Sequence, residues 1–146
     1  MCCFAAPISE LDKVAGEACV HLCDSGCGIY SERPEVCRGF ACEWLWGMGG
    51  PEHRPDRMGA MPTPALHHGQ LAFYLAPGIT PDTITRAAEK FIRLWHRRKR
   101  TAVLVLWGDG YNQTTAFFPH GERITKATKW EGEMPKGQRT EEAENG

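Results

Sequence analysis

The sequence predicts an α+β fold: an irregular, cysteine-rich N-terminal metal-binding segment packed on a small mixed β-sheet with one main helix. Three observations predict it. Five of the seven cysteines fall between Cys19 and Cys42, and none follows. The run AVLVLW at 102–107 is continuously apolar, as a central strand buried on both faces requires. Between it and a second apolar run, LAFYLA at 71–76, lies a stretch whose apolar residues return at helical spacing.

The elements follow in chain order. Residues 1–50 are punctuated by glycine and cysteine and show no sustained period. Residues 47–69, GMGGPEHRPDRMGAMPTPALHHG, are rich in Gly and Pro and read as an extended loop. LAFYLA reads as a strand. Thr80 is a suitable N-cap for the next helix, and Pro81 fits its first position. Ile84, Ala87, Ala88, Phe91 and Trp95 share one face of that helix. The cations Arg97, Arg98, Lys99 and Arg100 fall at its C-terminus, where the macrodipole favours them. After AVLVLW, GDG is a turn signal, and TTAFF at 114–118 can return as an antiparallel partner. If the first two strands are parallel, the helix is their crossover. Residues 131–146 are polar without apolar periodicity and are expected to be a disordered tail. Residues 1–130 are thus expected to form a single domain, with 1–50 as the cysteine-rich segment and 70–130 as a strand–helix–strand–strand unit.

Composition narrows the function. The chain has 146 residues, enough for a real core, and a net charge of −1, which gives no global pull toward nucleic acid or membrane. No run of 18 apolar residues is present, so no membrane-spanning helix is expected. The start, MCCFAAPISELDK, lacks a basic region and its apolar run is broken by Pro7, so a secretory signal is not expected and the cytoplasm is. A reducing compartment disfavours disulfides, and seven is an odd number. Thiols crowded into one third of a chain point instead to a local metal site.

Thiolates at close spacing suit zinc or an iron–sulfur cluster. Glycines at 16, 26, 28 and 39 allow the sharp turns that backbone needs around a metal. Cys19, Cys23 and Cys27 make C-x3-C-x3-C, which matches neither the C-x2-C-x2-C ferredoxin run nor the paired C-x2-C of a zinc ribbon. The spacing therefore leaves the metal open. Cys37 and Cys42 are five apart, about 140° around a helix, so a break at Gly39 is needed to aim both at one centre.

The run Cys19-x-His21-Leu22, then Gly26-Cys27-x-Ile29-Tyr30-x2-Arg33-Pro34-x2-Cys37-Arg38-x-Phe40-x-Cys42, closely resembles the YkgJ-type cysteine-cluster family, described as a zinc- or iron-chelating domain. In that resemblance Cys2-Cys3 stands for the family's Cys-Cys pair, Cys19 for its second element, and Cys27 and Cys37 for its third. Arg54-Pro55-Asp56 is a further echo. The resemblance covers about the first third of the chain. Two features depart from it: no cysteine stands before the Cys-Cys pair, and Cys23 occupies a place where none is expected. The expected ligands are therefore Cys3, Cys19, Cys27, Cys37 and Cys42, with Cys2 as the competing N-terminal ligand. Cys23 and His21 are candidates for a ligand or for a neighbour of the ligands.

Each further residue also has an ordinary reading. Cysteines can be buried free thiols. His53, His67 and His68 lie in the Gly- and Pro-rich loop and are expected in solvent. Arg33 and Arg38 either offset thiolate charge or are surface arginines. Trp44 and Trp46 are expected to cover the site or the core. The cations at 97–100 are expected to be a solvated helix end, so no nucleic-acid partner is expected. Asp109 between two glycines is a turn residue. The function expected is a cytoplasmic metal-binding protein with zinc in a structural or protein-partner-binding role. The alternative is an iron–sulfur cluster protein with redox or modifying activity.

Overall fold

The computed structural model describes residues 1–64 and 69–128. Its secondary structure is mixed, with short helices and two sheets. Residues 2–40 form one compact unit and residues 41–128 another. Among the described residues no helix is long and apolar enough to cross a membrane. The tail at 131–146 and the pair His67-His68 lie outside the described residues.

The first unit holds little regular structure. It opens with α1 (Cys2–Ala5) and a 3-10 turn at Ser9–Leu11. A minimal hairpin follows, β1 (Leu22–Cys23) against β2 (Gly26–Cys27). Gly26 turns the chain there with φ +115°, a region that side-chain-bearing residues rarely adopt. Another 3-10 turn, Tyr30–Glu32, leads to α2 (Glu35–Gly39), for which Pro34 is the N-cap. Helix α2 stops at Gly39, as the sequence predicts. Lys13 is buried, and its ammonium donates to the carbonyls of Phe4, Ala6 and Val14 at 2.9, 2.6 and 3.1 Å. These bonds tie the end of α1 to the chain beyond the first turn.

The second unit holds the conventional core. After a 3-10 turn at Pro51–His53 come α3 (Pro55–Met58), β3 (Ala60–Pro64) and β4 (Leu71–Leu75). Then α4 (Arg86–Lys99) leads to β5 (Val103–Trp107), β6 (Gln113–Phe117) and β7 (Arg123–Ala127). The sheet order is β3-β4-β5-β6-β7. Among the described strands only β4 and β5 pair in parallel, and α4 is the connection between them, as expected. The turn at GDG returns β6 antiparallel to β5, also as expected. Phe73, Phe91, Leu71, Leu75, Val103 and Val105 are fully buried, and the rings of Phe73 and Phe91 stack at 5.9 Å.

The structure corrects four expectations. The stretch 47–69 is not one extended loop, because it contains α3 and β3. Pro62 and Pro64 suggest a breaker, yet β3 is an edge strand, where a missing N–H costs no ladder bond on the open side. A fifth strand, β7, lies at the other edge. It is exposed throughout, with Arg123 and Lys126 in a row that reads as polar loop. Helix α4 begins at Arg86, not at Pro81. Thr80 instead closes a local turn, accepting from the Thr83 amide at 3.0 Å. The cap is Thr85, whose hydroxyl accepts from the Ala88 amide at 3.1 Å and donates to the Met58 carbonyl at 2.7 Å. His53 is buried, not solvated. Its Nδ1 accepts from the Gly50 amide at 3.0 Å, and its ring meets that of Phe91 edge-on at 5.5 Å.

Candidate metal centre

The first unit carries a partly open cavity of about 420 Å³. Four cysteines line it: Cys3 from α1, Cys19 from the chain before β1, Cys27 from β2 and Cys37 from α2. Cysteines far apart in sequence reach one space because the backbone between them is tied in several places. The Cys19 amide donates to the Cys3 carbonyl at 2.7 Å, which joins α1 to the approach of the hairpin. The Leu22 amide donates to the Cys19 carbonyl at 3.0 Å, and Leu22 pairs with Cys27 across the hairpin. The Gly28 amide donates to the His21 carbonyl at 2.7 Å and closes that ladder. The Cys37 amide donates to the Pro34 carbonyl at 3.0 Å in the first turn of α2.

The other expected residues lie elsewhere. His21 is half-buried and Cys23 is exposed, and neither lines the cavity. The Cys23 sulfur stands 3.3 Å from the Ser25 hydroxyl and 3.2 Å from the Gly26 carbonyl. Hydrogen bonding, led by the Ser25 side chain, holds the Cys23 thiol below its usual range. Cys42 belongs to the second unit, where it is buried. Cys2 opens α1, but its side chain lies outside what is described.

The arginines of the motif take local partners. Arg33 lines the cavity, its guanidinium lies 3.7 Å from the centre of the Tyr30 ring, and its Nε donates to the Tyr30 carbonyl at 2.8 Å. Arg38 is exposed and donates to the Ser31 carbonyl at 3.1 Å. Arg54 and Asp56 form an exposed two-point pair at 2.5 Å, which holds the Asp56 carboxyl below its ordinary range. Trp44 is half-buried and donates to the Gly50 carbonyl at 3.0 Å. Trp46 corrects the expectation of a cover, since it is 75% exposed. The tight turn set by Trp46 N–H to Cys42 C=O and Gly47 N–H to Trp44 C=O leaves this indole in solvent.

The apolar part of the cavity was not foreseen from the sequence. Ile8, Leu11, Ile29, Val36 and Phe40 share its wall with the thiols. No period marks these positions, because they sit in turns and one-turn helices. In chemistry the cysteines fit a soft metal: four thiols, the number a tetrahedral site takes. In position they line a space without yet forming a ligand group. Among the described residues no three His, Cys, Asp or Glu side chains stand together in a way that could hold an ion. Binding would require the sulfurs to draw closer than they stand. No family model, curated protein or solved structure matches this chain.

Proposed function

We propose that residues 2–40 form a thiolate metal-binding unit of the YkgJ type, with zinc as its metal and Cys3, Cys19, Cys27 and Cys37 as its ligands. One observation carries the reading: these four motif cysteines line a single cavity, while Cys23, the one outside the motif, does not. Bound metal would supply folding free energy to a unit that has little periodic core of its own. The role is structural or in binding a protein partner, in the cytoplasm. An iron–sulfur cluster with redox or modifying activity is the alternative, since four thiolates also hold a cluster.

Purification without oxygen, followed by metal analysis, tests both. Zinc at one equivalent in colourless protein supports the proposal. Brown protein carrying iron and sulfide moves the assignment to a cluster. Protein with neither metal, and with no uptake on titration, defeats both.

A further inference from the structure

We propose that the same cavity also takes a small apolar carboxylate, its chain among Ile8, Leu11, Val36 and Phe40 and its carboxylate on Arg33. The cavity is larger than a metal needs. A zinc ion with bonds of about 2.3 Å draws its sulfurs to about 3.8 Å from one another. That accounts for the cysteine wall and leaves the aliphatic wall without a role. An apolar cavity of about 150 Å³ takes benzene, about 25 Å³ per heavy atom. At that ratio, 420 Å³ without metal has room for on the order of fifteen heavy atoms, and the share beside the aliphatic wall for correspondingly fewer. Volume and lining are those of a small-molecule pocket: mostly apolar, with a few polar groups that fix orientation.

Arg33 supplies that group. Among the described residues lining the cavity it carries the one fixed charge, and that charge is positive. Its stacking on Tyr30 and its Nε bond to the Tyr30 carbonyl hold the guanidinium plane in place. The terminal nitrogens make no hydrogen bond or ion pair to another described residue. A planar fork held in place at an apolar cavity selects a carboxylate over an alcohol of equal length. The inference goes beyond the metal reading and does not need it.

The test uses the full chain as purified, with methyl groups labelled and metal content measured on each sample. Octanoate is expected to shift the methyls of Ile8, Leu11, Ile29 and Val36 and to bind more tightly than octan-1-ol. Arg33→Met should weaken octanoate about tenfold or more and leave octanol unchanged, as loss of a charge-assisted bond requires. Arg33→Lys should retain part of the preference for octanoate. Leu11→Trp, which adds bulk to the cavity wall, should abolish binding of both. If octanoate at millimolar concentration moves none of these methyls, the proposal is wrong. It is equally wrong if octanol binds wild type as tightly as octanoate. Metal analysis of the same samples judges the metal reading separately, so either can fail alone.

Discussion

Cys23 and Cys19 are four residues apart and have different surroundings. The Cys19 side chain is buried against a cavity shared with three other thiols. Cys23 is exposed and bonded within its own turn. Cys23→Ser is therefore expected to keep the full metal complement and nearly full stability. Cys19→Ser should lose most bound metal, measured as stoichiometry beside wild type. A drop in metal for Cys23→Ser would place that sulfur among the ligands. Tyr111 carries a second test at this scale. Its hydroxyl is buried and donates to the Leu75 carbonyl at 2.8 Å, and burial pushes its pKa well above the tyrosine range. Because the folded value lies above the unfolded one, the stabilisation is full below pH ~10 and is lost as pH rises through the folded value. Urea midpoints from pH 8 to 11 should fall in wild type and fall less in Tyr111→Phe. That variant should itself cost about 1 kcal/mol at pH 8 for the lost hydrogen bond.

At the scale of elements, the legible parts were those with a period. Of the face expected from Ile84, Ala87, Ala88, Phe91 and Trp95, the last three are buried in α4, Ala87 is partly buried, and Ile84 precedes the helix; Val103–Trp107 is the central strand. The start of α4 was misread because Thr80 and Thr85 are both plausible caps. What decides is a tertiary bond, Thr85 to the Met58 carbonyl, between residues 27 apart in sequence. Thr85→Ala removes both that bond and the cap, and is expected to cost about 1–2 kcal/mol in thermal or urea unfolding. Thr80→Ala should cost clearly less. Strands β3 and β7 escaped notice for a related reason. Edge strands tolerate proline and charge, which are the residues that disguise them. In the first unit the hairpin depends on Gly26, where an added Cβ meets no atom within 4 Å. Gly26→Ala is thus a test of backbone strain alone, about 1–3 kcal/mol by its φ, read as weaker metal retention.

For the whole molecule, the sequence led to the expectation of thiols around one metal, and among the described residues no three of them stand together as a ligand group. The motif grouped six, and four of them line one cavity. Cys42 falls in the second unit, after the break at Gly39 that the spacing anticipated. The apolar cavity wall and buried Lys13 were not legible, because turns bury residues without a repeating pattern. The two units differ in what stabilises them. Residues 41–128 bury an aromatic and aliphatic core, whereas 2–40 hold turns, one-turn helices and a hairpin of two-residue strands. Chelation is accordingly expected to raise amide exchange throughout residues 2–40 and to spare β4, α4 and β5. Equal loss in both units would show one cooperative structure. The most direct test of a thiolate metal site is X-ray absorption at the edge of the metal that copurifies. A shell of about four sulfur scatterers near 2.3 Å is the expected result for zinc, unchanged in Cys23→Ser. A shell of only nitrogen and oxygen would contradict it.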